Sequence, residues 1–530
     1  MIFGVSTVSK LYRNIIIFAL LTAFIVLAAA SVFNDVPVRD VAHRYAPMAD
    51  AFASGDFAHA FDLRVPPLHT ICAGLVSFVS GVDGFTGCKI AAILWHFAGM
   101  ILLYQLVKTV YPQDKKIAVL SLALYAVFPY TNQMAYYGLR EPLKTFILLL
   151  SALSLIKIKL DTKNIFNYIL LGIACGFAAT TRSDMIITAI FFIFCGAFFE
   201  CQSSRFPIKS VLAYITATAL LLPNICINYH LFKSAMPDFR FAAFYQKCMG
   251  NAPGMTEYFV IAFLLCAATI TGAWIFEKIT RKVDVKYFAY AAVILMAVTT
   301  VFAAAAEKFN TVSVSKFIEA VLEGFHSLFG IIILVYLIIR SRFQKLSSAE
   351  SIVITTVLAN AFINIVSIQL YHRQLYVSSR YLHPALPLLF GFFVCAVRYI
   401  HTLLCSRYTV KIANTVVAVL VIYTAADMLI HTVQPVVRNY TRKKNIIQRK
   451  KVLKLAEMIK TDSGGRHSAI YFTSDNKITA AAYLAGGRMV STPQNADYIV
   501  TCDNNADAKL LLLGAVEGCK NRFYLWRVKK

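Results

Sequence analysis

The stretch Arg39-Asp40-Val41-Ala42-His43-Arg44-Tyr45, continued by Gly55-Asp56 and Arg64-Val65-Pro66-Pro67-Leu68, follows one long apolar run at about 15–32. A polar loop of this kind just past a helix long enough to span a bilayer puts a carboxylate and several guanidinium groups at a water–lipid boundary. Such a carboxylate can do acid–base chemistry on an anionic, lipid-borne substrate, and the rest of the chain supplies its setting.

The setting is a membrane. Hydrophobic residues make up 58% of the 530 positions, charged residues only 15%, and mean hydropathy is +0.64. That balance excludes a soluble globular protein and predicts a polytopic one. The net charge of +25 does not point to nucleic acid, because Lys and Arg are scattered through short loops between apolar runs. It reads as topology plus affinity for anionic lipid and phosphate. The first run follows Lys10 and Arg13 and contains Ala28-Ala29-Ala30-Ser31, a small-residue pattern found at signal-peptide cleavage sites; its length favours an uncleaved anchor. The twelve cysteines are mostly isolated in apolar runs without metal-ligand spacing, so a divalent metal is not indicated. Only Cys502 and Cys519 share a soluble segment and are spaced to pair.

Thirteen spans are expected, near 14–33, 88–107, 117–134, 142–157, 164–181, 184–200, 209–228, 258–277, 287–305, 326–340, 350–370, 381–400 and 411–432. The segment 66–81 opens with a Pro pair and is short for a span. If it does not cross, the later loops on one side hold 18 Lys and Arg and those on the other hold nine. If it crosses, that bias inverts. The segment is therefore predicted as a short or re-entrant helix on the outer side, with a cytoplasmic N-terminus. Asp40, Arg64, Arg140-Glu141, Arg182-Asp184 and Arg373 to Arg380 then share one face. The expected fold is an all-α polytopic membrane protein, residues 1–435, with its first outer loop at 34–64. After Pro435 come a basic amphipathic stretch and short strands such as Ala469-Ile470-Tyr471-Phe472, predicting a small α/β domain at 436–530. Gly464-Gly465-Arg466 reads as a plain turn.

Asp40, Tyr45, Gly55-Asp56, Pro66-Pro67-Leu68, Arg140-Glu141-Pro142-Leu143, Thr181-Arg182 and Arg380-Tyr381-Leu382-His383-Pro384 occur in an order that resembles the polyprenyl-phosphate-sugar glycosyltransferases. These include protein O-mannosyltransferases, lipid A aminoarabinose transferase and rhizobial galacturonosyltransferases. The resemblance implies inverting transfer of a hexosyl or pentosyl group from a lipid-phosphate donor to a lipid, glycan or protein hydroxyl at the outer face of the membrane, and the lack of eukaryotic retention signals points to a bacterial inner membrane. It implies Asp40 as the catalytic base and Glu141 as an acid near the donor.

The residues bear weighing on their own. An Asp before a helical stretch is also a standard N-cap, and Glu141-Pro142 is a good helix start. The leaving phosphate gathers charge that arginine meets well, through a planar fork that stays ionised near lipid. Arg380, Arg373, Arg182 and Arg64 are the candidates, with Val65 standing where relatives place a basic residue before the Pro pair. Arg182 also suits pairing with Asp184. His43, His69 and His383 read as packing or loop residues. Tyr45, Tyr136, Tyr137 and Tyr371 fit an interfacial aromatic belt or a sugar-stacking surface, the belt being favoured. Competing functions are a lipid or glycan transporter or flippase, a lipid-glycan ligase or polymerase, and a membrane scaffold. The absence of paired halves with broken helices argues against a transporter.

Overall fold

The structure, a computed structural model, describes residues 3–203, 206–237, 239–280, 319, 327–343, 346–372, 379–441, 443–464, 468–472, 480–489, 496–501, 510–517 and 522–528. Eight of the described helices are long and apolar enough to cross a membrane, or nine if one bent pair counts as a single span. The chain is a polytopic helical membrane protein with a small C-terminal sheet.

The helix Phe3–Phe33 shows how the bundle is made. Ala19, Ala23, Leu27 and Ala30 recur at helical spacing and are buried, whereas Phe18, Phe24 and Ile25 are exposed. The small-residue stripe packs against Lys115–Val127 and Pro129–Tyr136, and the bulky face is left for acyl chains. Lys89 donates to the carbonyls of Ser31 (2.9 Å) and Asn34 (2.6 Å), meeting acceptors that the helix end leaves open.

Of the thirteen expected spans, 287–305 lies outside the described residues and the others fall on helices; those at 142–157 and 326–340, Glu141–Leu160 and Ser327–Phe343, are not among the eight long and apolar enough to cross, and three more differ in build. The 117–134 span is broken at Phe128, where Pro129 starts a new helix bent by 49°. The helix Ile165–Ala179 has only 15 residues. The 381–400 span opens with a tightened turn, His383–Leu389, because Pro384 and Pro387 remove backbone donors. The helix Leu68–Ser80, at 13 residues, rises only about 20 Å, short of a ~30 Å hydrocarbon core. It lies against Ala46–Ala53 and Gly84–Val110 and ends on Gly81, whose φ of 70° is left-handed. Gly84 permits a close approach there, since a Cβ would stand 2.3 Å from the Ala46 carbonyl oxygen.

The basic loops meet at one end of the bundle: Arg398 bonds Asp114, Lys209 donates to the Thr162 carbonyl, and Lys159 pairs with Gln202. Asp40, Glu141, Arg182 and Arg380 gather at the other end. The helix Val410–Thr441 runs through Pro435, and Lys443–Ser463 follows it. The strands Ala469–Phe472 (β1), Arg488–Met489 (β2), Tyr498–Thr501 (β3), Leu510–Glu517 (β4) and Arg522–Val528 (β5) form one sheet in the order β2-β1-β3-β5-β4. β1 is parallel to β2 and β3, and β5 is antiparallel to β3 and β4. Ala42 of the first loop is buried in the same apolar cluster as Val452, Leu455 and Ile470. Cys502 and Cys519, and residues 465–466 of the glycine turn, lie outside the described residues.

Candidate active site

Four chain segments meet at the site. Asp40 precedes a wide helical turn, Val41–Tyr45, whose hydrogen bonds skip one residue further than an α-helix allows. Glu141 is the first residue of Glu141–Leu160, with Pro142 fixing the turn after it. Arg182 precedes Ser183–Cys201, and Arg380 opens the segment running to Arg407. Two helix N-termini, at Glu141 and Ser183, thus open at the site, where their free N–H groups favour an anion.

The side chains form an alternating chain of charge. Arg380 donates from Nη1 to Asp40 Oδ2 (2.8 Å) and from Nε to Glu141 Oε1 (2.6 Å). Arg182 Nη1 lies 3.7 Å from the same Glu141 oxygen, and its Nε donates to Asp184 Oδ1 at 2.7 Å. Lys144 reaches Asp184 Oδ2 and Asn364 Oδ1, both at 3.2 Å. Arg140 donates to the Thr181 carbonyl (3.0 Å) and stands over the Tyr45 ring, while Arg182 stands over Tyr381. These groups border a cavity of about 460 Å³ lined by Asp40, Tyr45, Ser183, Asp184, Tyr381 and the arginines 44, 64, 140, 182 and 380. Five arginines against two aspartates leave an excess of positive charge in a confined space, which suits a phosphate. Two buried atoms here have no partner among the described residues, Arg140 Nε and Glu141 Oε2. One is a donor and one an acceptor, matching a phosphate oxygen and a sugar hydroxyl respectively.

Burial opposes ionisation of Asp40, but Arg380 beside it, with Arg140 and Arg44 further off, wins and holds its carboxyl below the usual range. Its side chain makes no capping bond to the following turn. The N-cap alternative is therefore corrected: the residue already has helical backbone angles, so its carboxylate swings away from the turn's N–H groups toward Arg380. The belt reading is corrected for Tyr45 and Tyr136. Tyr45 and Tyr136 are 3% and 0% exposed; Tyr45 packs edge-on to His69, and Tyr136 donates to the Thr432 carbonyl. His69 bonds the Gly138 carbonyl and His383 stacks on Tyr130, as packing histidines should. No metal-binding cluster occurs among the described residues.

Of the residues singled out in the sequence, Asp40, Tyr45, Arg64, Arg182 and Arg380 line one cavity and Glu141 stands behind it. Arg373 and the side chain of Tyr371 lie outside the described residues. Sequence reasoning quoted Arg140, Arg44 and Tyr381 without giving them a role at the site, and passed over Lys144 and Ser183. Lys144 had a signal: an ionisable residue one turn after Glu141 in an otherwise apolar helix. Arg44 had none, because an arginine in a polar loop is unremarkable.

The model of the family described as dolichyl-phosphate-mannose-protein mannosyltransferase matches residues 64–228. That range holds Arg64, Arg140, Glu141, Arg182 and Asp184; Asp40 and Arg380 lie outside it. The fold is similar to that of the Archaeoglobus fulgidus oligosaccharyltransferase in its apo form, with a TM-score of 0.52 and 13% identity over 92% of this chain and 65% of that one. The same enzyme in complex with Zn and sulfate gives 0.51 and 13%, over 90% and 67%. The family model matches residues 64–228 alone, and the solved structures, at 13% identity, show a likeness of fold. The chain spans about two thirds of the archaeal enzyme's length. No curated protein sequence matches it.

Proposed function

We propose that this chain is a glycosyltransferase that moves a hexosyl or pentosyl group from a polyprenyl-phosphate donor to an acceptor hydroxyl with inversion, at the outer face of a bacterial inner membrane. The observation that carries the reading is Asp40 within 2.8 Å of Arg380 on the rim of an arginine-rich cavity between two helix N-termini. The acceptor oxygen attacks the anomeric carbon as its proton passes to Asp40, whose Oδ1 takes it while Oδ2 stays bonded to Arg380. The bond from that carbon to the donor oxygen breaks, and its electron pair leaves with the polyprenyl phosphate. Arg380, Arg182 and Arg140 meet the charge that grows on the phosphate, assisted by the Ser183 helix terminus and, in part, Arg64. Glu141 orients Arg380 and offers Oε2 to a sugar hydroxyl. Tyr45 supports Arg140 from below. Arg373 remains a proposed further phosphate contact. One attacking oxygen and one base suffice, so no covalent glycosyl-enzyme forms.

The orientation that puts this end outside is supported by the basic loops at the other end of the bundle. Residues 436–530 then form a periplasmic α/β unit over the site. The test is transfer of label from a panel of polyprenyl-phosphate sugars by purified protein in lipid nanodiscs. Asp40→Asn should lower turnover by about 10²–10⁴-fold while the protein still retains labelled donor. Undiminished transfer by the variant would remove Asp40 as the base.

A further inference from the structure

At the end of the bundle where the basic loops meet, away from the arginines, lies a cleft of about 290 Å³. Three helices that also build the site wall it. Glu141–Leu160 gives Leu155 and Lys159, Ser183–Cys201 gives four phenylalanines between 191 and 199, and Ser348–His372 gives Ile352 and Thr355. The fourth wall is Met255–Thr280, whose Phe276 meets Phe194 and Phe198 edge-on at 5.4 and 5.5 Å. At the far end the first three helices are tied by Lys144, which reaches Asp184 and Asn364. Lys159 stands 15 residues further along the same helix, a rise of about 22 Å, and at that level the three have parted to leave a wedge. Its depth is aromatic and aliphatic, and its polar groups, Lys159, Gln202 and Ser348, stand at the helix ends. Lys159 is the single charged residue among those that line it; it lies over the Phe199 ring and donates to Gln202 Oε1. Carboxylates near this end are engaged, Glu200 by Lys209 N and Ser210 N (both 2.9 Å) and Glu350 by Arg340 (3.0 Å). Thr355, two turns inside its helix, is exposed, so the cleft opens on the flank of the bundle, where the bilayer is.

We propose that this cleft binds an anionic phospholipid from the leaflet at the basic-loop end, with one acyl chain among the phenylalanines and the headgroup phosphate on Lys159. A void between apolar side chains forfeits dispersion contacts. Water does not restore them, because a buried water needs about two to four polar partners and the phenylalanine walls offer none. A hydrocarbon chain does restore them, and the open flank admits it from the bilayer. Charge selects the headgroup: no carboxylate of the cleft answers the ammonium at its mouth, and the basic loops around it concentrate anionic lipid. A polyprenyl phosphate fits less well, since in the reaction proposed above its phosphate occupies the arginine cavity at the other end of these helices. The seated chain fills the wedge between the helix that begins at Glu141 and the one that begins beside Arg182, and so braces the frame of the site.

The test uses the full-length protein in phosphatidylcholine nanodiscs doped with phosphatidylglycerol whose acyl chain carries a photoreactive diazirine. Label should map to residues 191–202, and unlabelled phosphatidylglycerol should displace it where added phosphatidylcholine or polyprenyl phosphate does not. Lys159→Gln should cut this labelling about fivefold, the worth of one basic residue at an anionic surface, and Lys159→Arg should restore it. Thr355→Trp, at an exposed position, should block the opening and abolish the label while the melting temperature in detergent holds. No label in 191–202, label that phosphatidylcholine displaces equally, or label that survives Lys159→Gln or Thr355→Trp undiminished overturns the proposal, because ordinary boundary lipid behaves so. Displacement by polyprenyl phosphate in place of phosphatidylglycerol overturns it too and gives the cleft to an isoprenoid chain. None of these outcomes bears on Asp40 or the arginine cavity, so the glycosyl-transfer reading stands or falls separately.

Discussion

At the residue scale, Arg380 is the hinge of the electrostatics, because it binds Asp40 and Glu141 at once. A base needs its carboxylate form, and Arg380 keeps Asp40 ionised below the ordinary carboxyl value of 3.8. The acid limb of kcat/KM for Asp40 should therefore lie below that value, with a plateau through neutral pH. Arg380→Gln removes the cation, so Asp40 protonates more readily and the limb should move to higher pH; a pH–rate profile of the variant checks this. The same variant should lose about 10²–10³ in kcat at pH 7, since phosphate charge is no longer met. Deeper in the bundle, Lys144 and Asp184 are 0% and 7% exposed. Lys144→Met leaves Asp184 short of a partner and should cost about 3–5 kcal/mol, read as a lower melting temperature in detergent.

At the scale of elements, close helix contacts place the site, and two glycines make one of them. A Cβ on Gly172 would stand 2.5 Å from the Ala213 carbonyl oxygen, and one on Gly176 would stand 2.7 Å from Leu220 Cβ. Both let Ile165–Ala179 lie tightly on Ile208–Phe232, the kind of contact that drives association where lipid is as apolar as the side chains. Ile165–Ala179 ends just before Thr181 and Arg182, so its packing sets the position of Arg182. Gly172→Leu should push the pair apart, lowering the melting temperature and weakening donor retention together.

For the whole molecule, the C-terminal unit braces the loop that carries Asp40. Tyr483 accepts from Phe85 N (2.9 Å) and donates to Asp83, Arg449 pairs with Asp35, and Ala42 is buried among C-terminal side chains. The Arg449–Asp35 pair is partly exposed and contributes little by itself. Ala42 matters more, since it is 3% exposed and only two positions from the proposed base. Ala42→Leu should overpack that seam by about 1–3 kcal/mol and reduce kcat more than donor retention, which paired turnover and binding measurements separate.

Composition, run length and charge bias determined a great deal without coordinates. An apolar run long enough to span a bilayer must be a helix there, because hydrocarbon offers nothing else to bond its backbone. The loop charge count named the end of the bundle where polar residues gather, and the Pro pair with its short run marked Leu68–Ser80 as too short to cross. Asp40, Glu141, Arg182 and Arg380 stood out because ionised groups beside apolar runs are costly and need a reason. Pairing was beyond the sequence: Arg380 meets Asp40 and Glu141 across 340 and 239 residues, and local spacing carries no information about such contacts. The burial of Tyr45 and Tyr136, the release of Asp40 from capping, and the arginine-lined cavity were likewise decided only when distant helices packed. Packing is a property of surfaces brought together, and no single stretch of chain contains it.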